Sequence, residues 1–192
     1  MMRVITGSAK GIRLQTPEGE TTRPTSERAK EAFFSMIQFE IVGRRVLDLF
    51  AGSGQLGIEA LSRGAKTATF TDSSKAAIQA VRANLKKTGF EGNTVVYAGD
   101  ALTFLRGRAP EKYDLVFLDP PYALGLVPQA LELLCKGNLL LPGALLLCET
   151  GESKDVFGGN GELEKRFTVR SLKKHGVAHL TLLVYSETEV SP

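Results

Sequence analysis

The sequence predicts an α/β domain: a doubly wound, mostly parallel sheet with an N-terminal hairpin-and-helix extension and a C-terminal antiparallel hairpin. Three observations predict it. From residue 45 onward, short apolar runs alternate with amphipathic stretches of helical period, the pattern of successive βα units. Runs such as "RVLDLF", "YDLVFLD" and "GALLLCE" are nearly continuous in apolar character, as strands covered on both faces are. The last such stretch, "RFTVRSLKKHGVAHLTLLVY", holds two strand-like segments joined at His175-Gly176 with no room for a helix, so those two pair antiparallel.

Taken in order, "RVITG" and "GIRLQ" flank the turn "SAK" and predict a small hairpin over residues 3–15. A loop rich in Thr, Pro and Glu leads to "TSERAKEAFFSMI", where Ala29, Ala32, Phe33, Met36 and Ile37 share one helical face and Thr25 is placed as an N-cap. "RVLDLF" is a buried strand ending at Phe50, and "QLGIEALSRG" a short helix stopped by Gly64. "KTATFTD" is the second strand. "SSKAAIQAVRANLKKTG" is a helix with Ala77, Ile78, Val81 and Leu85 inward, ending at Gly89. "NTVVYAGD" is the third strand, with a brief helix around "ALTFLR" after it. "YDLVFLD" is the fourth and runs straight into "PPY". A helix near 126–136, the strand "GALLLCE" and the terminal hairpin complete the series. Residues 1–40 are thus an extension in front of one α/β domain, 41–192.

Composition narrows the class. The chain has 192 residues, 43% apolar and 23% charged, enough for a sizeable core of ordinary globular type. A net charge of +3 is compatible with an anionic partner without requiring one. No apolar run reaches membrane-spanning length, and "MMRVITGSAKGIRLQ" lacks the apolar core of a secretion signal. Cys135 and Cys148 have no metal or redox spacing and read as a reduced, cytoplasmic pair. With only His175 and His179 besides, no metal site is expected. Nothing suggests an oligomer, so a monomer is the expectation.

"DLFAGSGQLG" carries Gly52, Gly54 and Gly57 at the spacing of a dinucleotide-binding turn. Ligands of open α/β sheets bind beyond the carboxyl ends of the strands, which places Ala51 to Gly54 at the crevice. Glycines there let the backbone approach a ligand closely. Spacing alone also fits a ligand-free strand-to-helix turn. Two acids decide what the loop suits. Asp48 precedes it, an awkward neighbour for a diphosphate and a comfortable one for a cation. Asp72, followed by Ser73, ends the second strand 18 residues after Gly54, where a carboxylate accepts both hydroxyls of a ribose. S-adenosylmethionine has a ribose, an ammonium and a sulfonium and no phosphate, so it fits better than NAD. Asp100, next to Ala101, either reaches the adenine amino group or caps the following helix, and both roles are compatible.

"FLDPPY" closes the fourth strand. Pro120 and Pro121 remove two backbone donors and restrict the chain to extended geometry, holding the Pro120 carbonyl outward beside the Asp119 carboxylate. An exocyclic amine has two hydrogens and meets two acceptors there. Tyr122 offers a flat surface for a base drawn from its stack. The same residues could make a mere proline-rich strand-end turn, but one following a glycine loop at this distance is a specific combination.

The pairing of "DLFAGSG" with "DPPY" resembles the S-adenosylmethionine-dependent amino-methyltransferases. "TRPTSERAKEAFFSMI" and "RVITGSAKGIRLQTP" resemble, more narrowly, the bacterial small-subunit rRNA guanine-N2 methyltransferases, and the likeness spans nearly the whole chain. The resemblance implies a Rossmann-like class I methyltransferase fold with a seven-stranded sheet. It implies methylation of the 2-amino group of one guanine of 16S rRNA, position 966, preferably on an assembled small subunit. Asp119, Pro120 and Tyr122 then match the catalytic motif, and Gly52, Gly54 and Asp72 the cofactor loop and ribose acid. Arg23, Pro24 and Thr25 match a segment that lids the cofactor and faces the substrate. "ESKDVFGGNGELEK" and the tail are less recognisable.

Residues 1–17 carry Arg3, Lys10 and Arg13 and no acid, and Arg23, Arg28 and Lys30 follow. They could meet RNA phosphates, or be ordinary solvated cations. "DPPY" serves N2 of guanine and N6 of adenine alike, so an adenine or DNA methyltransferase is the nearest alternative, favoured less by the N-terminal segment. A protein-glutamine methyltransferase usually has Asn at the place of Asp119. Cytosine C5 chemistry needs a cysteine nucleophile that is not placed here. A nicotinamide oxidoreductase lacks its Tyr-x-x-x-Lys pair, and a non-catalytic RNA-binding module is separated by the effect of replacing Asp119.

Overall fold

The computed structural model describes residues 2–17, 27–107, 109, 111–121, 125–151, 155–176 and 178–186, with the backbone alone at 27–29 and 175. Among the described residues seven strands form, β1 (Arg45–Asp48), β2 (Thr67–Asp72), β3 (Thr94–Ala98), β4 (Tyr113–Leu118), β5 (Leu140–Thr150), β6 (Phe167–His175) and β7 (Ala178–Tyr185). Between and before them lie helices α1 (Glu27–Ile37), α2 (Gln55–Ser62), α3 (Lys75–Thr88), α4 (Ala101–Arg106), α5 (Leu126–Lys136) and α6 (Gly161–Glu164). The strands make one sheet in the order β3-β2-β1-β4-β5-β7-β6. Pairing is parallel from β3 through β5, and β7 joins antiparallel to both β5 and β6. This is the doubly wound sheet with a terminal antiparallel hairpin that the sequence predicts, and the winding reverses between β1 and β4.

Alternate residues of each central strand feed two cores. Val46, Leu115, Phe117, Leu145 and Leu147 pack under α1, α2 and α3. Leu47, Val116, Leu118, Leu146 and Cys148 pack under α4 and α5. Burial of each such side chain stabilises the fold by about 1.5–3 kcal/mol. α3 buries the predicted Ala77, Ile78, Val81 and Leu85. It is capped by Ser74, whose hydroxyl accepts from Ala77 N–H at 3.2 Å, and closes on Gly89 at φ 77°. Among the described residues no helix is long and apolar enough to cross a membrane.

Several boundaries differ from the sequence reading. β1 ends at Asp48, not Phe50: the Leu49 carbonyl accepts the Thr71 hydroxyl and Ala51 N–H donates to Thr71 O at 2.9 Å, turning the chain over the tip of β2. β3 ends at Ala98, because Asp100 is already a helix cap. β5 starts at Leu140 and crosses Pro142-Gly143, with Gly143 at φ 73° and a register shift opposite on β4. α1 fully buries Lys30, Phe33, Phe34 and Ile37, while Ala32 and Met36 are only partly buried. Apolar periodicity misses Lys30 because its ammonium is buried with partners, Arg3 O at 2.5 Å and the Glu59 carboxylate at 3.5 Å.

The N-terminal hairpin forms around one antiparallel bridge, Arg3 with Arg13, flanked by Val4 N–H to Ile12 O and Leu14 N–H to Met2 O, each 3.0 Å. It lies along α2. Glu59, fully buried, accepts from Ile5 N–H at 2.7 Å and Thr6 N–H at 2.9 Å, and pairs with Arg63 at 2.9 Å. Ser62 bonds Thr6 O and Ala9 N–H. A methyl on Gly7 would lie 1.7 Å from Ser62 O, so only glycine lets the turn rest there. Val4, Ala9 and Leu14 join the same core as α1 and the sheet.

Candidate active site

The three glycines of the loop do three different things. Gly52 has φ 53°, and a Cβ there would meet nothing within 4 Å, so the chain is turned and open to a ligand at that point. Gly54, at φ 77°, is the N-cap of α2 and closes a tight turn with its N–H on Ala51 O at 2.7 Å. Gly57 is a packing residue. A Cβ on it would sit 2.3 Å from the Phe70 ring, and its absence lets α2 lie against β2.

That close approach brings Gly57 N–H to the Asp48 carboxylate at 2.9 Å. Asp48 is 2% exposed, turned beneath α2 and away from the surface. Burial drives its pKa up to about 7, helped by the negative charge of Asp72 and opposed by the Gly57 N–H. An acid with a raised folded pKa stabilises the fold most below its unfolded pKa, and that contribution is lost as pH rises from about 4 to about 7. An Asp48→Asn variant keeps an acceptor for Gly57 and has no such titration. Its melting temperature is therefore expected to gain on wild type as pH rises from 5 to 8, by an amount on the order of a few kcal/mol in stability. Thermal melts across that range check it, and a constant difference would contradict it.

Asp72 is half-buried at the end of β2 and holds the loop from the other side. One oxygen accepts Gly52 N–H and the other Ser74 N–H, both at 2.8 Å. Ser73 beside it is exposed, and Ala51 is buried. Asp100 is exposed and caps α4, accepting the Thr103 N–H and hydroxyl at 2.8 Å each. These bonds hold its pKa below the usual carboxylate range. Ala101 is buried under it.

The register puts the second motif beside the first. Asp48 on β1 pairs with Phe117 on β4, and Leu118 pairs with Cys148 on β5. Asp119 and Pro120 therefore emerge at the carboxyl edge between β1 and β5, about one strand spacing, roughly 5 Å, from the start of the glycine loop. Asp119 is half-buried, Pro120 buried and Pro121 exposed. Glu149, 6% exposed, continues β5 at the position next to Asp119, and its carboxyl lies on the α1 side of the sheet with Leu145 and Leu147. No local pattern singles it out, although an acid closing so apolar a strand is itself a signal. Tyr122, Arg23, Pro24 and Thr25 lie outside the described residues, as does the side chain of Arg28.

Arg3, Lys10 and Arg13 are all exposed. The bridge makes Arg3 and Arg13 cross-strand neighbours in the hairpin. This end of the hairpin abuts the glycine loop, where the Ser53 hydroxyl donates to Met2 Sδ at 3.0 Å. Lys10 sits at the turn end, near the last residues of α2. Cys148 is buried and Cys135 half-buried, with both thiols pushed up by desolvation, Cys135 to about 11, so neither is an activated nucleophile. Among the described residues no three His, Cys, Asp or Glu side chains gather as a metal site would need.

Comparison with known proteins gives a consistent result. The model of a family described as "Conserved hypothetical protein 95" matches residues 2–184. Ribosomal RNA small subunit methyltransferase D of Haemophilus influenzae is 40% identical over 158 residues, covering 81% of each chain. The protein of the same name from Escherichia coli is 37% identical over 149 residues, 78% of this chain and 74% of that one. Among solved structures, a candidate methyltransferase of Escherichia coli superposes with a TM-score of 0.84 at 32% identity, over 97% of this chain and 99% of its own.

Proposed function

The chain belongs to the conserved hypothetical protein 95 family, that of the small-subunit ribosomal RNA methyltransferases D, and on that basis we propose that it transfers a methyl group from S-adenosylmethionine to the exocyclic 2-amino group of a guanine in 16S rRNA. The observation that carries this reading is the register that sets Asp119-Pro120 at the tip of β4, directly beside the tip of β1 where the glycine loop begins.

The loop's own hydrogen bonds support S-adenosylmethionine over a dinucleotide. A diphosphate needs free N–H groups at the start of the helix after the loop. Here the third N–H of α2, that of Gly57, is given to Asp48, and in the loop before it Gly52 N–H is given to Asp72 and Gly54 N–H to Ala51 O. What the loop presents instead is an open Gly52 and a half-buried carboxylate, suited to a cationic ligand with a ribose diol. In this reading Asp72 accepts the ribose hydroxyls, Ala51 to Gly54 line the methionine part with Thr25 over it, and Ser73, Asp100 and Ala101 border the adenine. When bound, the cofactor supplies an electrophilic methyl whose sulfonium is its own leaving group.

The protein's part is alignment and charge. Asp119 and the Pro120 carbonyl each accept one hydrogen of the target amine, rotating its lone pair out of conjugation with the base and toward the methyl. The same oxygens stabilise the positive charge that develops on nitrogen. Pro121 keeps the motif extended, and Tyr122 stacks on the base. Holding amine and methyl in line provides much of the remaining acceleration.

Residues 1–40 act as a substrate-facing extension of the methyltransferase domain 41–192, with Arg3, Lys10, Arg13, Arg23 and Arg28 meeting phosphates. An Arg3→Ala/Arg13→Ala double variant is expected to reduce the slope of log K against log salt for RNA binding by about 1.4–1.8, two phosphate contacts' worth. An unchanged slope would remove these two residues from the interface. So small an extension suits a preformed RNA–protein surface, which makes the assembled small subunit the substrate. The test of the reading supplies radiolabelled methyl donor to small subunits, bare 16S rRNA, tRNA and DNA, followed by nucleoside digestion. Label in N2-methylguanosine, strongest from subunits, is expected. Label in N6-methyladenosine, or label confined to DNA, contradicts it.

A further inference from the structure

Asn84 lies in the middle of α3 with no exposed surface, next to Leu85 and three residues from Val81, both core residues. A buried amide in such a place must have its donors and acceptor satisfied. Its Oδ1 accepts Gln15 N–H at 2.7 Å, and its Nδ2 donates to Gln15 O at 2.9 Å and to Ser53 O, also at 2.9 Å. The side chain therefore pairs both backbone groups of Gln15 as a neighbouring strand would. It uses its remaining hydrogen on the carbonyl between Gly52 and Gly54, the two loop residues with left-handed backbone.

The two things it joins are the two halves of the proposed site. Gln15 follows Leu14, whose N–H bonds Met2 O on the rung next to the Arg3–Arg13 bridge. Ser53 follows Gly52, whose N–H is on the Asp72 carboxylate. From the paired arginines to the ribose acid, the path runs through Gln15, one amide and Ser53, with each contact at hydrogen-bond distance. The Ser53 hydroxyl on Met2 Sδ is a second, weaker contact between the same two segments.

We infer that Asn84 is a positioning residue that couples RNA held on the N-terminal hairpin to the cofactor loop, so that each ligand tightens binding of the other. Either ligand, by ordering its own side of the amide, lowers the ordering cost of the opposite side, and the effect is reciprocal by linkage. The inference rests on the methyl-transfer reading above.

The test is equilibrium dialysis of radiolabelled S-adenosylhomocysteine against the full-length protein, alone and with saturating small ribosomal subunits. In wild type, subunits are expected to lower its Kd about five- to tenfold. Asn84→Ala binds both ligands, more weakly, but the ratio of the two Kd values falls below about two. Asn84→Asp keeps only the acceptor for Gln15 N–H and is expected to lose the ratio in the same way, serving where the alanine variant folds poorly. Leu85→Ala, a cavity one residue along the same helix, lowers the melting temperature and keeps the wild-type ratio. A ratio preserved in both Asn84 variants overturns the inference, since a residue that merely supports the fold weakens both ligands alike. A wild-type ratio of one also overturns it while leaving methyl transfer intact. Failure of wild type to bind the nucleoside or the subunits contradicts the proposed activity itself, and the coupling with it.

Discussion

An Asp119→Ala variant is expected to lose methyl transfer by about a hundred- to a thousandfold while binding cofactor and RNA nearly as wild type does. The size follows from removing one preorganised acceptor for the amine that, in the proposed reaction, becomes positive in the transition state. The selectivity follows from position. Asp119 follows the last residue of β4, on the far side of β1 from Asp72, so the ribose contacts proposed at Asp72 do not involve it. Asp119→Asn sharpens the measurement, because an amide still offers one acceptor and recovers part of the rate. Single-turnover methylation of small subunits, read beside direct cofactor binding, separates the two effects. Unaltered turnover in the alanine variant would mean that the Asp-Pro-Pro turn closes a strand and nothing more.

The second large effect is expected at Asp72. Replacing it with alanine removes the proposed acceptor for the ribose hydroxyls and, at the same time, the anchor of Gly52 N–H and Ser74 N–H. Hydrogen bonds to a charged partner contribute about 1.5–3 kcal/mol each. A loss of about 3 kcal/mol, on the order of a hundredfold in Kd for S-adenosylhomocysteine, is the expectation. Asp72→Asn retains an acceptor for one of the two backbone donors and is expected to fall between. Equal affinity in wild type and the alanine variant would place the ribose elsewhere.

Much of this was legible in the sequence because it is local. The period of α3 and its Gly89 stop, the βα alternation and the motif at the tip of β4 all depend on residues within a turn or two of each other. The order of the glycine and Asp-Pro-Pro motifs, together with the ordinary winding of such sheets, was enough to bring them side by side. What escaped depends on partners far along the chain. Lys30 is buried because Arg3 and Glu59 receive its charge, and no apolar pattern reveals that. Asn84 reads as a polar break in a core face until Gln15, 69 residues away, folds onto it. The sequence places Asp48 beside the loop, but its turn under α2 depends on how closely Gly57 packs on Phe70. Glu149 became a neighbour of Asp119 only once the β4–β5 register was known.

The most direct measurement is a structure of the protein with S-adenosylmethionine and a small-subunit RNA fragment bound. It is predicted to show the ribose on Asp72, the sulfonium over Ala51 to Gly54, and a guanine amine on Asp119 and Pro120 with its nitrogen about 3 Å from the methyl carbon. A methyl group directed away from β4, or separated from that amine by more than a water's width, would contradict the account.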